Sequence, residues 1–413
     1  MSQFNAVFRR IGMNAQNWDR ADVVIIGGGL AGLTAAATVA KHGKRAIVLE
    51  RHQSVGGDAR SSTHEGFTFN QGPHALYRGG PGERILTKLG VRIEGGVPPV
   101  KGRIVFHNES FAAPAGPSTL LQTKGFDVRD KIEIAKVLGK VPKLAPKRLA
   151  SLTTRQWIDD QVTRERPRQL LLLMSRLTTY GNHPDDMSAE ITSHQLQLAL
   201  GPGVLYLHGG WQRLVDQLAA MPGVQVHPGE SVTELPDVPA VIIAGGPTLA
   251  ERLLERRFAV GPKAEVSCLD LGLRRAPDHD VVLGADAPMY FSNHSAVADV
   301  APPGHFGASA LQYLGPGDSP DAAAIREFVR HAGIRDDDIV FDRKLHRMTA
   351  VSAVATAASG GLAGRPGVSD TGAHNVFLAG DWVGDEGHLA DAAIASGNAA
   401  AIAAIRTLSK VTT

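Results

Sequence analysis

Hydrophobic positions along this chain follow two rhythms. Val23-Val24-Ile25-Ile26 is a continuous β-branched run, the pattern of a parallel strand covered on both faces. Gly27-Gly28-Gly29-Leu30-Ala31-Gly32 interrupts it, and Leu33 to His42 is alanine-rich and reads as a helix that Gly43 ends. Ala46-Ile47-Val48-Leu49 is a second buried run, closing a strand–helix–strand unit of about 30 residues. After about residue 103 the rhythm changes, and Thr119 to Leu200 predicts mainly helices. Val224-Gln225-Val226 and Val241-Ile242-Ile243 return to strand. From Val266 to about Tyr313, short strands are separated by Pro and Gly. Asn375 to Thr413 repeats strand, Gly-rich turn and alanine-rich helix.

That order predicts an α/β protein whose nucleotide domain is assembled from separated stretches, 1–104, 205–262 and 369–413. A mixed α+β substrate domain, 105–204 and 263–368, would be inserted between them. A length of 413 residues suits two domains that share a core, and 43% hydrophobic with 20% charged residues is ordinary for a globular protein. The net charge of +2 argues against a general nucleic-acid surface. With Cys268 alone, neither an internal disulfide nor a Cys-X-X-Cys pair can form, and its place after Val266 in a buried run reads as an inert thiol. Met1 to Arg20 has no apolar central stretch, and no run of about 18 apolar residues occurs, so neither signal nor span is expected and a cytoplasmic location follows by default. His183, His194, His294 and His305 lack metal-ligand spacing, so no metal is predicted.

Gly27-x-Gly29-x-x-Gly32 sits between a strand and a helix, where the first glycine permits a tight turn, the second lets backbone approach a pyrophosphate and the third lets helix pack on strand. The helix start presents N–H groups and partial positive charge to phosphates. Glu50 ends the second strand, where a carboxylate can accept from an adenosine ribose. It disfavours a 2′-phosphate, an objection that Arg51 softens. FAD and NAD are not separated by these residues.

Gly56-Gly57-Asp58-Ala59-Arg60-Ser61 resembles the second glycine motif of the flavin-dependent amine oxidase, protoporphyrinogen oxidase and phytoene desaturase superfamily. Gly66-Phe67 and Asn70-Gln71-Gly72-Pro73-His74 continue the resemblance, and Val376-Phe377-Leu378-Ala379-Gly380-Asp381-Trp382 is similar to its flavin motif. Leu389-Ala390-Asp391 through Gly397 looks like its closing helix. His208-Gly209-Gly210-Trp211 and Glu230-Ser231-Val232 match its Gly-Gly turn and adenine turn, while Pro288 to Ser292 and Ser295 to Pro303 look most like bacterial phytoene-dehydrogenase-like proteins. The resemblance implies a Rossmann-type, glutathione-reductase-like (family two) domain holding FAD. It implies contacts from Gly27, Gly28, Gly29, Leu30, Ala31, Gly32, Glu50 and Arg51, from Gly57, Arg60, Gly72, Pro73 and His74, from Val232, and from Gly380, Asp381, Leu389 and Ala390. One departure matters: Asp58 stands where the family commonly has arginine, with Arg60 two positions later.

No second Gly-x-Gly-x-x-Gly follows a strand, so electrons would enter from substrate and leave to oxygen or a quinone. His74 and Tyr77 are the candidate catalytic groups, although His74 could equally only pack on the cofactor. His388 and Asp385-Glu386 would either face the same cavity or lie in a solvated loop. Residues 124–148 carry eight basic side chains, Lys124, Arg129, Lys131, Lys136, Lys140, Lys143, Lys147 and Arg148, with Ile134, Val137, Leu138 and Val141 at helical spacing. Such a helix suits peripheral contact with an anionic membrane, or else a solvated face over an ordinary core. The favoured expectation is a desaturase or dehydrogenase of an apolar or polycyclic small molecule. The alternatives are an amine oxidase, for which no Trp/Tyr pair near Asp381 speaks, a redox-neutral FAD-dependent isomerase, and a non-enzymatic prenyl- or lipid-binding escort.

Overall fold

The computed structural model describes residues 21–411 apart from 73, 100 and 108, so the reading of Met1 to Arg20 lies outside the described residues. Five parallel strands form the first sheet, in the order Val224–Pro228, Ala46–Glu50, Val23–Ile26, Val241–Ile243, Val376–Leu378. Its three inner strands are wholly buried, which is why their sequences, the terminal Glu50 apart, are apolar in succession rather than alternating. Val23, Ile25 and Ile242 face Ala31, Ala35, Ala36, Ala400, Ala401 and Ala404 of the helices Leu30–Lys41 and Ala390–Val411. Alanine lets these helices come close. A Cβ at Gly397 would reach within 2.2 Å of the Ala31 carbonyl oxygen.

A second sheet of seven strands runs Ile339–Val351, Ala264–Leu273, Phe306–Leu314, Met289–Asn293, Val281–Gly284, Arg103–Phe106, Glu109–Ala112. All its pairs are antiparallel except Val281–Gly284 with Arg103–Phe106. The sequence suggests short strands from Val266 to Tyr313, yet two of those found there have 10 and 9 residues, and the edge strand Ile339–Val351 has 13. The expected junction at 104/105 falls inside the strand Arg103–Phe106. The helices Pro117–Gln122, Val128–Lys140, Thr154–Gln161, Glu165–Thr179 and Ala189–Leu200 fill the interval read as helical. Buried Asp270 pairs with half-buried Arg343, which also donates to Ser62 Oγ and the Asn70 carbonyl and so fastens this sheet to the hairpin Ser61–His64/Phe67–Asn70. Cys268 is buried, and burial pushes its thiol up, away from the reactive thiolate.

In the helix Val128–Lys140, Ile134 and Val137 are buried in the core, as is Val141 just beyond it, while Leu138 lines the cavity described next. Among the described residues no helix is long and apolar enough to cross a membrane.

Candidate functional site

A cavity of about 1270 Å³ opens at the carboxyl ends of the parallel strands and runs into the space under the seven-stranded sheet. At the sheet end it is lined by Ile26, Gly27, Leu49, Glu50, Ala244, Gly380 and Asp381, the residues at or just past four strand ends. The three glycines of the first turn divide their work. Gly27 has φ +113°, and a Cβ there would come within 2.3 Å of the Ala244 carbonyl oxygen. A Cβ on Gly32 would come within 1.9 Å of the Gly27 oxygen, so Gly32 keeps helix against strand. A Cβ on Gly29 would meet nothing within 4 Å, because it would enter the open cavity.

Glu50 Oε2 accepts from the Gly28 N–H at 2.8 Å and Oε1 from the His52 N–H at 2.8 Å, which fixes a carboxylate in the cavity wall. Its outward lone pairs remain able to accept from hydroxyls. Val232 lies at the same end, and the Glu230 N–H donates to the Glu50 carbonyl. Further along, Asp58 and Asp381 border the cavity together. Burial raises both carboxyls above their usual range, and the negative charge of Asp381 raises Asp58 further. For Asp381 the Ser352 N–H, donating at 2.7 Å, and the charge of Arg365 act in the opposite direction. Arg60 also borders the cavity, its Nε donating to the Gly57 carbonyl and Nη1 to Ser54 Oγ. The helix Ala390–Val411 begins at the cavity, with Leu389, Ala390 and Ala393 in its wall. Leu389 has φ +55°, a backbone state that costs a residue with a Cβ roughly 1–2 kcal/mol. Strain of this kind gathers where a chain end must be aimed.

Of the expected contact residues, Gly27, Gly29, Leu30, Ala31, Glu50, Arg51, Gly57, Arg60, Gly72, His74, Val232, Gly380, Asp381, Leu389 and Ala390 line this one cavity. Gly28 and Gly32 do not; they serve the turn's own hydrogen bonding and packing. Pro73 lies outside the described residues.

The two candidate catalytic side chains also border the cavity. Tyr77 donates its hydroxyl to the Thr178 carbonyl at 2.8 Å, and burial pushes the phenol well up, so it holds its proton and spends it on the backbone. His74 is 4% exposed, and burial lowers it below the usual histidine range, so the ring is neutral. His388 lies buried behind the wall with Nε2 at 2.8 Å from the Thr179 carbonyl, held down to about 3 chiefly by burial. Asp385 and Glu386 are exposed, and Glu386 pairs with Arg84 at 2.8 Å, the solvated-loop alternative.

Deeper in, the cavity is walled by Leu170, Leu173, Met174 and Leu177 of one helix, Leu196 and Leu200 of another, and Leu283, Tyr290 and Met348 of the seven-stranded sheet. These residues carry no signal in the sequence beyond ordinary core leucines; only the fold turns them toward one space.

A family model described as an NAD(P)-binding Rossmann-like domain matches residues 25–89. All-trans-retinol 13,14-reductase of Macaca fascicularis is 42% identical over 74 residues, 17% of this chain and 12% of its own length. Phytoene desaturase of Cercospora nicotianae is 36% identical over 75 residues, 18% of this chain and 12% of its own. The chain thus matches about an eighth of the length of these curated relatives. Putrescine oxidase, in a structure with putrescine bound, superposes with a TM-score of 0.69 over 94% of this chain and 99% of that one, at 15% identity, a likeness of fold. The superfamily resemblance drawn from the glycine motifs is borne out, as is the Rossmann-type α/β architecture.

Proposed function

We propose that this chain is an FAD-dependent oxidoreductase that removes hydride from a C–H bond of an apolar small molecule, in a desaturase- or dehydrogenase-type reaction. The observation that carries this reading is the continuity and polarity of the cavity. Glu50, Arg51, Asp58, Arg60, Glu230, Arg252 and Asp381 all lie toward its dinucleotide end, whereas the deep half is walled by leucine, methionine, alanine, valine and tyrosine. A buried amine or carboxylate would find no counter-charge there, and an unpaired charge out of water is costly. That favours a neutral substrate over the amine of the rival reading. It also favours a redox role over an escort, because the dinucleotide half keeps Glu50, Asp381 and the aimed helix start.

The residues present fit the cofactor. Glu50 would accept from the ribose, and Gly29, Leu30 and Ala31 would leave room and N–H donors for the pyrophosphate. Asp381 would accept from the ribityl chain, and the first N–H groups after Leu389 would face the flavin pyrimidine oxygen, with Gly57, Arg60, Gly72, His74 and Val232 completing the wall. When bound, FAD supplies the hydride-accepting chemistry, and oxygen or a quinone would take the electrons onward. The chain's own share is to orient the substrate and exclude water. Leu121, Val128 and Ile132 are exposed among Lys124, Arg129, Lys131 and Lys136, and would let an apolar ligand be collected from an anionic lipid surface, which co-sedimentation with anionic against neutral vesicles would read.

The decisive experiment is a visible absorption spectrum of the purified protein and of the supernatant after acid precipitation. Flavin bands that pass wholly into the supernatant are expected. A colourless protein that also fails to take up added FAD would refute the assignment.

A further inference from the structure

The chain has five tyrosines, Tyr77, Tyr180, Tyr206, Tyr290 and Tyr313, and all five gather at this one cavity. Four of them line it, and Tyr313 packs edge-on against Tyr180 with ring centroids 5.9 Å apart. The Tyr206 hydroxyl lies 2.9 Å from the Tyr290 hydroxyl and 3.1 Å from Ser292 Oγ, so three hydroxyls meet in an otherwise apolar chamber. His294 joins this group to His74: its ring lies 4.5 Å from that of His74 and edge-on to Tyr206 at 4.8 Å. The His74 ring also lies nearly parallel to that of Tyr180, with centroids 6.4 Å apart.

This wall has polar capacity that the protein does not use. His74 Nδ1 is buried with no hydrogen-bond partner among the described residues, and so is His294 Nε2. Buried polar atoms are almost always paired, so an unpaired one beside a cavity marks either a cost left standing or a place where a ligand supplies the partner. Each orphan left in place costs on the order of 1–3 kcal/mol. Two of them on neighbouring rings tilted by 39°, with His74 in the cavity wall beside Tyr206 and Tyr290, favour the second explanation.

We infer that the deep half of the cavity takes an apolar molecule bearing one neutral oxygen function, a hydroxyl or a carbonyl, which docks against His74 and the Tyr206–Tyr290 hydroxyls while its hydrocarbon body lies along Leu170, Leu173, Leu177 and Leu196. The inference rests on the proposed redox reading for its purpose, but not for its geometry. Tyr206 and Tyr290 can donate to or accept from the ligand oxygen by turning one hydroxyl out of the cluster. Neutral His74 can do either with whichever ring nitrogen faces the ligand. An alcohol or ketone matches that versatility. A carboxylate would need a cation, and an ammonium would meet tyrosine ring faces but no carboxylate, since no charged side chain lines the deep half. The shared polar wall also fixes which end of a long hydrocarbon lies nearest the dinucleotide half, since His74 borders both.

The test compares a linear polyene alcohol with the hydrocarbon of the same carbon skeleton, each titrated into the purified FAD-loaded protein by calorimetry in the same detergent. The alcohol is expected to bind about tenfold tighter, the value of one or two well-placed neutral hydrogen bonds. Tyr206→Phe removes a single oxygen from a packed ring, and His74→Phe removes the nitrogens while keeping an aromatic in the stack. In both variants the alcohol-over-hydrocarbon preference, taken as the ratio of the two affinities within each variant, should fall to about threefold or less. Equal binding of the two ligands by the wild type overturns the inference, as does a full preference retained by folded Tyr206→Phe and His74→Phe. Preparations without flavin answer a separate question: a protein that holds no FAD yet prefers the alcohol fails the redox reading and keeps this one.

Discussion

Asp391 offers a quantitative check on how the start of the closing helix is built. It sits in the first turn of Ala390–Val411 and is 2% exposed. Its Oδ1 accepts from the Gly82 N–H at 3.0 Å, while Oδ2 has no partner among the described residues. The carboxyl is wedged against the start of the helix Pro81–Leu89, where a Cβ on Gly80 would come within 2.2 Å of Oδ2. Burial pushes the group from 3.8 up to about 7, with the Gly82 N–H and Arg84 resisting and Glu386 and Glu83 adding to the rise. A carboxyl raised in the folded state binds its proton more tightly there than in the unfolded chain. Its contribution to stability is therefore full below 3.8 and lost as the pH climbs through about 7. At roughly 1.4 kcal/mol per pH unit the full loss is about 4 kcal/mol. Of that loss, about 3 kcal/mol falls above pH 5, and nearly all of it is complete a little above pH 7.

Asp391→Asn removes the ionisation while Oδ1 keeps its acceptor role toward Gly82. Urea unfolding of both FAD-loaded proteins across about pH 5 to 8 isolates the effect, because every other titrating group is common to the pair. The variant should gain on the wild type steadily as the pH rises, by about 3 kcal/mol between the two ends of the range. A difference that stays flat across the range, or one that shrinks as the pH rises, would show that Asp391 is not a buried acid opposed by its surroundings.

Three further outcomes follow from the same geometry. Glu50→Ala leaves the Gly28 and His52 N–H groups without their acceptor and removes the proposed ribose contact, so FAD affinity measured by flavin fluorescence should fall about 10- to 100-fold; an unchanged affinity would remove Glu50 from the site. Gly29→Ala and Gly32→Val should part company: the first places its methyl in open cavity and should melt like the wild type without FAD yet bind FAD poorly. The second drives a side chain into the Gly27 carbonyl and should lose the cooperative melt itself. His388, held down to about 3, is neutral in the fold while it protonates in the unfolded chain, so its stabilisation is present above 6.5 and lost as the pH falls toward 3. His388→Gln, which can still donate to the Thr179 carbonyl, should flatten the acid side of the stability profile in urea titrations, and an unaltered slope would contradict the burial of that ring.

The dinucleotide half of the cavity is legible in the sequence because backbone geometry makes it. Val23 to Gly32 states a strand, a turn and a helix by residue type alone, and Glu50 follows at the spacing the sheet imposes. The same local logic gives no strand for the edge strand Ile339–Val351, where Asp342, Arg343, Lys344, His346 and Arg347 break up the apolar positions. An edge position tolerates those charges, and Arg343 is drawn inward by Asp270, 73 positions away in the chain, and by Ser62 and the Asn70 carbonyl of the hairpin. The deep half is harder still. Ile134, Val137, Leu138 and Val141 share one apolar stripe, but the stripe is wider than a single contact, so three of them enter the core and Leu138 reaches the cavity.

The tyrosine wall shows why this half resists a reading by sequence. Tyr77, Tyr180, Tyr206, Tyr290 and Tyr313 follow no common period or motif, and each taken alone is an ordinary half-polar core residue. Their meaning comes from two strand pairings and one helix end. The strand Val204–Leu207 pairs with Leu76–Tyr77, the strand Met289–Asn293 pairs with Phe306–Leu314, and Tyr180 caps the helix Glu165–Thr179 with φ +55°. A cofactor cradle that depends on main-chain N–H groups constrains its sequence to glycine and a few acids, and so announces itself. A chamber that depends on side-chain chemistry can be assembled from distant positions with no local trace, and a substrate is chosen in that second kind of space.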